Sequence, residues 1–463
     1  MSNSISFWGA ARTVTGSKYL LKVNGKQILI DCGLFQGGRE LRDRNWEPFG
    51  FDPNQLDAVI VTHAHIDHIG LLPKLVKEGY QGPIYATPGT IGIARISLPD
   101  SARLQEEEAR TRNKHNQTRH SPALPLYTEE DAKEVLKRLK PVRYDQEFDL
   151  PGGASFTFHP AGHILGSARI DIKLPDGETL VMGGDLGRFN TPIITDPAKI
   201  HQADYLVIES TYGDRIHSDE DAKAKLETIL NDAYKNGKCV IVPSFAIGRT
   251  QELLYYITLL QQESKIPRIP IYIDSPMATS ATVIYDATIE DHDVDMKLLR
   301  GEGIDPLHPE NVSFVRDRNQ SKAINSQSGP MMIISGSGMA NGGRVIHHLL
   351  HRLSDPNTVV LFTGYQGIGT LGRRLFDGEP TVRILGHEIE PKAQIEKLNS
   401  LSAHADYTEI LHWLKDIKVE PKQTFIVHGE PEAQAALVEH IKETLGWKNI
   451  TIPEQGDEFM LKF

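Results

Sequence analysis

Short alternating and apolar runs, each ended by glycine, asparagine or aspartate, dominate the first 200 residues of the chain. The alternation from Lys18 to Asp31 is broken at Asn24-Gly25, and a second alternating pair is broken at Asp176-Gly177. Both dipeptides favour the tight turn of a β-hairpin. Helical patterns lie between these hairpins, at 91–111 and 128–139. Strands with helices outside them predict stacked sheets covered by helices.

From about residue 205 the pattern becomes a regular alternation of strand and helix. The apolar runs YLVIES, CVIVPSF, IYIDSP and MMIIS are each followed by a segment with helical spacing. Repeated βα units predict a parallel sheet wrapped by helices. We therefore place a second domain at 205–395, after a first segment at 1–204 and before a tail at 396–463 that returns to strand, loop and helix and has a last strand near ITI.

The composition is that of an ordinary globular protein. Apolar residues make up 39% and charged residues 24% of the 463 positions, which excludes wholesale disorder. The chain has no long apolar run and no leader-like start, so we expect no membrane partner and a cytoplasmic location, which also suits its two cysteines. A net charge of −11 disfavours bulk coating of nucleic acid, but it allows a nucleic-acid enzyme whose cleft holds cations.

The strongest chemical signal is HAHIDH at 63–68, directly after the apolar strand LDAVIV. It places His63, His65, Asp67 and His68 at the end of a buried strand, where loops carry function. Imidazoles with a carboxylate among them suit zinc, iron or copper. The two histidines at i and i+2 face one side of an extended segment while Asp67 and His68 point elsewhere. The motif therefore predicts two adjacent metal ions rather than a chance cluster.

Further ligand candidates lie at other strand ends of the first domain. His163 follows the strand SFTF in HPAGHILGS, and Asp185 follows TLVM in GGDLG. Their shared position at strand ends predicts that they project into the same rim as the 63–68 motif. Asp31, which closes the first hairpin in ILIDCG, is expected to orient a ligand histidine rather than to bind metal.

Together with the later histidine and aspartate, HAHIDH resembles the metallo-β-lactamase superfamily. The resemblance is sharpened by motifs along the rest of the chain: ESTYGDR, PSFAIGRTQELL, DSPMA, SGMANGGRVIHHL, GYQGIGTLGRRL, LSAHAD and VHGE. These resemble the β-CASP RNA nucleases, among them prokaryotic proteins similar to the endonuclease subunit of the cleavage and polyadenylation complex. The resemblance covers essentially the whole chain. It implies an α/β fold: an αββα metallo-β-lactamase sandwich (1–204 and 396–463) with an inserted β-CASP domain (205–395), a parallel sheet wrapped by helices.

The resemblance also implies a ligand set for two zinc ions, with Mn²⁺ or Fe²⁺ not excluded by the residue types. One ion would be bound by His63, His65 and His163. The other would be bound by Asp67, His68 and His428, with Asp185 bridging the two. In this family a histidine at the VHGE position accompanies RNA substrates, whereas the DNA-repair relatives have an apolar residue there.

For catalysis, the resemblance pairs Glu209 with His404, so that the carboxylate orients an imidazole that acts as general acid. Two metals close together would generate hydroxide near neutral pH and neutralise charge in the transition state. Asp67 or Asp185 could orient the water or accept its proton. We therefore expect metal-dependent hydrolysis of single-stranded RNA, chiefly endonucleolytic. Attack by metal-bound hydroxide would leave 3′-hydroxyl and 5′-phosphate ends, and the substrate would pass between the two domains.

Substrate contacts are predicted less sharply. The loop SGSGMANGGR, which begins at Ser335, could hold a phosphate on its free amides or be a plain tight turn. Ser402 is a phosphate contact by resemblance, and Arg249 is expected either in the cleft or on the surface at a helix start. His347, His348 and His351 have no evident carboxylate partner, so we expect surface or groove histidines there.

Three other functions stay open at this point. A small-molecule hydrolase of the lactamase or thioesterase type shares the metal motif, and a catalytically weak RNA-binding scaffold shares the fold. A DNA nuclease is disfavoured by His428. Ribonuclease J-type members have SGHAS where this chain has SAHAD, and they carry a further C-terminal domain, which weakens the case for exonuclease action from a 5′ end. A homo-oligomer and RNA-processing partners are both compatible with the sequence.

Overall fold

The computed structural model describes residues 3–115, 122–364, 366–367, 369–398 and 400–461. Contacts between Cα atoms divide the chain into two compact units. The first comprises Met1–Thr191, Thr195–Ile216 and His404–Phe463, and the second comprises Pro192–Ile194 and His217–Ala403. These limits lie somewhat further along the chain than the predicted boundaries at 204 and 395, which remain a prediction about domains.

The strands of both units are numbered in chain order. They are β1 (Asn3–Gly9), β2 (Lys18–Val23), β3 (Lys26–Ile30), β4 (Ala58–Ile60), β5 (Ile84–Ala86), β6 (Leu139–Pro141), β7 (Phe148–Asp149), β8 (Ser155–Pro160), β9 (Ala168–Lys173), β10 (Thr179–Met182), β11 (Tyr205–Glu209), β12 (Cys239–Pro243), β13 (Ile271–Ile273), β14 (Val312–Phe314), β15 (Met331–Ser335), β16 (Thr358–Phe362), β17 (Val382–Ile384), β18 (His387–Ile389), β19 (Gln394–Lys397), β20 (Gln423–Val427), β21 (Ile450–Thr451) and β22 (Glu458–Leu461).

The α-helices connect and flank these strands. They are α1 (Arg39–Asp43), α2 (Ile66–Ile69), α3 (Leu72–Lys77), α4 (Pro88–Lys114), α5 (Glu129–Arg138), α6 (Ala222–Asn236), α7 (Arg249–Gln262), α8 (Pro276–Ala287), α9 (Val294–Gly301), α10 (Arg318–Ile324), α11 (Val345–Arg352), α12 (Leu371–Phe376), α13 (Tyr407–Leu414) and α14 (Pro431–Leu445). The helices predicted at 91–111 and 128–139 correspond to α4 and α5.

The first unit contains two sheets, with strand orders β22-β1-β2-β3-β4-β5-β6 and β21-β20-β11-β10-β9-β8-β7. Both predicted hairpins are confirmed, because β2 pairs antiparallel with β3 and β9 pairs antiparallel with β10. Asn24 and Gly25 between β2 and β3 have φ of 48° and 80°, as a type I′ turn requires. The strand YLVIE, predicted to open the second domain, is β11, which pairs with β10 and β20 in the first unit.

The core of the first unit lies between its two sheets. Side chains from both sheets meet there; the Phe7 and Phe425 rings, for example, are 5.0 Å apart. Helices α13 and α14 cover the opposite face of the second sheet, where Leu411 and Leu437 belong to one buried cluster with Ile426. Sheet-on-sheet packing with outer helices is the layered α/β arrangement that the sequence predicts.

The second unit is built on a sheet with strand order β14-β13-β15-β12-β16-β19. Each neighbouring pair in this sheet is parallel, which confirms the prediction from the βα alternation. Helices α6 and α7 pack on one face of the sheet, and α11 packs on the other. Among the residues that the structure describes, no helix is both long enough and apolar enough to cross a bilayer.

Candidate metal centre and active site

The predicted ligands are positioned by the ends of strands in the first unit. His63 follows β4, His163 follows β8, Asp185 follows β10 and His428 directly follows β20. Strands β10, β11 and β20 are parallel neighbours, so the residues after them meet at one edge of the second sheet. His428 has a φ of 50°, a left-handed conformation that is uncommon for histidine and is held by a hydrogen bond from its amide to the carbonyl of Ala10 at 2.8 Å.

The first group of ligand atoms comes from three histidines and one aspartate. Nδ1 of His65 lies 3.1 Å from Nε2 of His63 and 3.1 Å from Nε2 of His163. Oδ2 of Asp185 lies 3.4 Å from Nε2 of His63 and 3.5 Å from Nε2 of His163. One nitrogen of each ring therefore faces a common centre.

A second group lies on the other side of Asp185. Nε2 of His68 is 3.3 Å from Nε2 of His428 and 3.2 Å from Oδ1 of Asp185. Nε2 of His428 is 3.7 Å from the same oxygen and 3.5 Å from Oδ2 of Asp67. Asp185 thus offers one carboxylate oxygen to each group, in the bridging position that the sequence analysis assigns to it.

The two groups fit divalent cations on two independent observations. Four ligand atoms at about 2.0–2.1 Å from one zinc ion are about 3.3 Å from one another, close to the separations within each group. In addition, neither oxygen of buried Asp185 meets a hydrogen-bond donor with suitable geometry in the described part of the chain. A buried carboxylate without such donors is costly unless a cation neutralises it, so the centre is a metal site.

The electrostatics of His63 and His65 agree with this interpretation. Burial, followed by the nearby His68, places the pKa of His63 well below its ordinary value, and burial lowers the pKa of His65 to about 4. Both imidazoles are therefore neutral at physiological pH, the form that binds metal. For His68 and His428 burial also lowers the pKa, but the charge of Asp185 outweighs it and raises their pKa values while no cation shares that charge. Although burial opposes its charge, Asp185 has a pKa well below the usual range because His428 and His68 attract the carboxylate.

Outer contacts fix the direction in which the ligand rings face. Nδ1 of His68 donates to Oδ2 of Asp31 at 2.8 Å, a contact that the orienting role predicted for Asp31 requires. The same carboxylate accepts hydrogen bonds from the amide and hydroxyl of Thr62, both at 2.8 Å. Thr211 Oγ1 lies 3.1 Å from Nδ1 of His428. The contacts made by His68 and His428 each occupy Nδ1 of the ring and leave Nε2 to face the metal centre.

Sequence reasoning missed Thr62 and Thr211. Thr62 immediately precedes the HAHIDH motif, and Thr211 lies two residues after Glu209 in ESTYGDR. Their positions beside known motifs were the available signal. Neither hydroxyl, however, could be assigned to a particular ring without the fold.

Glu209 and His404 form a hydrogen-bonded pair next to this centre. Nδ1 of His404 lies 3.0 Å from Oε1 and 3.1 Å from Oε2 of Glu209, and 3.9 Å from Oδ2 of Asp185. The amide of Leu186 donates to Oε1 of Glu209 at 2.8 Å and holds the carboxylate in place. Burial disfavours the imidazolium, but attraction by Glu209 outweighs it and raises the pKa of His404 to about 9. The contact with Glu209 thus favours the protonated form of His404.

The residues predicted to bind substrate lie in the second unit. Ser335 is buried, and its hydroxyl donates to the carbonyl of Asp274 at 2.9 Å, which is a structural contact. The Arg249 side chain is only 10% exposed and forms an ion pair with Glu252. Ser402 is half-buried in the segment before His404. Roles in substrate binding for these three residues remain predictions.

The expectation for the histidines of α11 is wrong for His348. This residue is fully buried, with Nε2 at 2.7 Å from Oδ2 of Asp274 and Nδ1 at 2.8 Å from Oδ1 of Asn325. Arg344 donates to the other oxygen of Asp274 at 2.6 Å. The carboxylate partner was not evident from the sequence because it lies 74 positions earlier, at the end of β13.

The layered fold and a histidine- and aspartate-lined metal centre at a sheet edge define a metallo-hydrolase of the metallo-β-lactamase type. Three family models match the chain: the metallo-beta-lactamase superfamily at residues 12–205, the Beta-Casp domain at 250–375, and the Zn-dependent metallo-hydrolase RNA specificity domain at 388–453. The chain belongs to the β-CASP family of this superfamily.

Relatives match over nearly the whole chain. A ribonuclease of Thermus thermophilus is 41% identical over 93% of this chain and 94% of its own length. A transcription termination factor of Methanosarcina mazei is 30% identical over 94% of this chain and 68% of its own length. A crystal structure of a protein of unknown function from Enterococcus faecalis covers 100% of both chains with a TM-score of 0.54 and 13% identity, a likeness of fold alone.

Proposed function

We propose that this protein is a metal-dependent ribonuclease. It hydrolyses single-stranded RNA, chiefly at internal phosphodiesters, and leaves 3′-hydroxyl and 5′-phosphate ends. The observation that carries the proposal is the contact between Glu209 and His404 beside the bridging carboxylate Asp185. It supplies a proton donor next to a cation site, which is what cleavage of a stable diester requires.

The residues present fit two divalent cations, and we propose zinc for both. His63, His65 and His163 would hold one, Asp67, His68 and His428 the other, and Asp185 would contact both. When bound, the pair supplies Lewis acidity that lowers the pKa of a water and offsets charge on the phosphate.

Side chains of the protein carry out the two proton transfers: His404 donates one proton, and Asp67 or Asp185 accepts the other. Because Nδ1–H of His404 is bonded to Glu209, the proton on Nε2 is the one available to the departing 3′ oxygen of the RNA. The charge on Glu209 keeps the imidazole protonated at neutral pH, and a positioned acid of this kind contributes about 10²–10⁴ in rate. Asp67, with its pKa lowered to about 2 against the cost of burial by the hydrogen bond with His428, stays ionised. It can therefore orient the attacking water or accept its proton, a role that Asp185 can share.

RNA is favoured as substrate by two further findings. The family model over residues 388–453 is that of an RNA specificity domain, and the relative that is 41% identical is named as a ribonuclease. The family resemblance adds that a histidine at position 428 accompanies RNA substrates. The Glu209–His404 pair argues against a small-molecule hydrolase, and the complete ligand set argues against a scaffold.

Two coarser assignments accompany this function. We assign the first unit to the metallo-β-lactamase domain and the second unit, which contains His217–Ala403, to the inserted β-CASP domain. We place the protein in the cytoplasm, because its cysteines Cys32 and Cys239 are buried free thiols, as expected in a reducing compartment.

The test is a digest of single-stranded RNA with mapped ends. A circular RNA offers no terminus, so its linearisation reports endonucleolytic cleavage directly. We expect linear products with 3′-hydroxyl and 5′-phosphate ends, loss of cleavage with a chelator, and recovery with added Zn²⁺. Turnover of a thioester or β-lactam with intact RNA would favour the small-molecule hydrolase. Equal cleavage of DNA would favour a general nuclease, and no turnover with less than one bound metal ion would favour the scaffold.

A further inference from the structure

Phe245 is an exposed aromatic residue in a loop that begins and ends at buried residues. It lies between β12 and α7 in the second unit, and 49% of its surface is exposed. Ser244 before it and Thr250 at the start of α7 are each 1% exposed. An isolated exposed apolar residue needs no explanation, but an exposed ring on a fixed loop at a sheet edge does.

The loop around Phe245 is held in place by hydrogen bonds. The carbonyl of Phe245 accepts from Oγ1 of Thr250 at 2.7 Å and from Oγ of Ser244 at 3.1 Å. Gln251 donates through Nε2 to the carbonyl of Ala246 at 3.2 Å. The backbone that carries the ring is therefore fixed before any ligand arrives, which lowers the entropy cost of binding.

Gly338 supports the ring from the neighbouring loop. A Cβ atom at Gly338 would lie 2.9 Å from Cδ2 and Cε2 of Phe245, closer than carbon atoms approach. The carbonyl of Gly338 accepts from Nε2 of Gln366 at 3.1 Å, which fixes the loop after β15. Only glycine lets this backbone lie against the ring.

The position in the sheet is one at which ligands bind. Strands β12 and β15 are parallel neighbours, with Pro243 opposite Ser335 at their carboxyl ends. The helix that follows β12 packs on one face of the sheet and the helix that follows β15 packs on the other. A crevice between such strands is the usual ligand site of open α/β sheets.

The chemistry of the two loops suits an aromatic and anionic ligand. Neither 243–249 (PSFAIGR) nor 335–344 (SGSGMANGGR) contains an acidic residue. The side chain of Arg249 is nine-tenths buried, and its Nε–H has no hydrogen-bond acceptor among the described residues. A phosphate or base oxygen, or a water that it displaces, can satisfy this donor.

We propose that Phe245 is a stacking platform for a nucleobase of the RNA substrate, with Gly338 as its support. The proposal rests on the proposed ribonuclease function and adds a subsite in the second unit. Every base presents a π-face to an aromatic ring, and loss of one such stack weakens binding of single strands by about 5- to 100-fold. The subsite therefore binds RNA without reading its sequence strictly.

The test compares Phe245→Leu with Phe245→Tyr in the full-length protein. For Phe245→Leu we expect the KM for a single-stranded oligoadenylate to rise about 5- to 100-fold with little change in kcat. Phe245→Tyr keeps the ring and should stay within about twofold of the wild type. The matched control is Leu298→Ala, which removes a 60% exposed side chain from α9 and should change neither constant. Thermal unfolding of each variant checks that the fold is retained.

A second arm uses equilibrium binding in a His404→Ala background, where cleavage is slow. Fluorescence anisotropy of a labelled oligoadenylate should show the same fold-loss of affinity for Phe245→Leu. Gly338→Ala should weaken binding when Phe245 is present and should have no further effect in the Phe245→Leu variant. If wild-type protein cleaves RNA but Phe245→Leu leaves KM and Kd unchanged, the platform is wrong and the ribonuclease function stands; Phe245 then serves another contact, such as a protein partner. If wild-type protein neither cleaves nor binds RNA, both proposals fail.

Discussion

Nδ1 of His404 lies 3.0 Å from Oε1 of Glu209, although the two residues are 195 positions apart in the chain. Strand β11 delivers Glu209 to the sheet edge, and His404 reaches it through a bridge between its backbone and that of Gly187. The pair lies beside Asp185 and so next to the metal centre. A proton donor and a cation site thus share one edge of the second sheet.

Replacement of His404 by alanine is expected to lower kcat on RNA by about 10²–10⁴, because the departing 3′ oxygen then leaves without a proton. In an RNA whose scissile phosphate is bonded to a 3′ sulfur instead of a 3′ oxygen, the leaving group is a thiolate and needs no proton. The His404→Ala variant should therefore cleave this RNA nearly as fast as the wild type does. Single-turnover kinetics on both substrates measure this. The control is His412→Ala, which removes an exposed histidine of α13. Equal loss on the oxygen and sulfur substrates would contradict a general-acid role.

Asp31→Asn is expected to weaken metal binding rather than to unfold the protein. One oxygen of Asp31 accepts from the amide of Thr62 and the other accepts from Nδ1 of His68. In asparagine one of these oxygens is replaced by an NH2 group, which cannot accept, so one of the two hydrogen bonds is lost. His68 then loses its orientation, and the affinity for zinc at its site should fall about 10- to 100-fold. Competition titration against a chelator of known affinity measures the loss. Asp52→Asn, at an exposed carboxylate, is the control, and an Asp31→Asn affinity equal to that of the control would exclude an orienting role.

Lys18 predicts an unusual dependence of stability on pH. Its ammonium group is buried, donates to the carbonyls of Gly16 at 2.9 Å and Gly33 at 3.0 Å, and lies 4.2 Å from the centre of the Phe35 ring. Burial lowers the pKa of Lys18 from 10.5 to about 8, with Cys32 opposing that shift and Lys74 adding to it.

The sign follows from proton binding. Between pH 8 and 10.5 the unfolded chain holds more protons on Lys18 than the folded chain does, so its contribution to stability rises with pH in this window, by up to about 3 kcal/mol. The free energy of unfolding is measured with urea at pH 8 and at pH 10. As the pH rises, this free energy should increase less, or decrease more, in the Lys18→Met variant than in the wild type. The difference between the two proteins isolates Lys18 from other titrating groups. Parallel changes in both proteins would refute the lowered pKa.

Part of the candidate metal centre could be predicted from the sequence, because His63, His163, Asp185 and His428 lie shortly after strands with a clear apolar pattern. The end of β4 carries His63 and the end of β20 carries His428, and both strands are fully or almost fully buried. The strand-end pattern placed the 63–68 motif, His163 and Asp185 at one rim, whereas the choice of His428 and the division into two ligand groups came from the family resemblance. The hairpin turns and the parallel sheet were equally readable, since turn residues and βα alternation are local signals.

Contacts between residues that are far apart in the sequence could not be predicted in this way. His348 is buried against Asp274, and β11 pairs with strands of the first unit rather than opening the second. The last strand, β22, pairs with β1 at the opposite end of the chain and was not predicted. In each case the local pattern is compatible with several partners, and only packing in three dimensions selects one.

The central claim is that the centre formed by the 63–68 motif, Asp185 and His428 hydrolyses RNA. The most direct measurement is cleavage of circular single-stranded RNA by the Asp67→Ala/His68→Ala double variant, with metal content and thermal unfolding recorded on the same samples. We predict a folded protein that has lost the metal ion of the Asp67–His68–His428 group and at least about 10³ of the cleavage rate, because one ion alone cannot supply the two-metal chemistry. Cleavage at the wild-type rate by this variant would contradict the account.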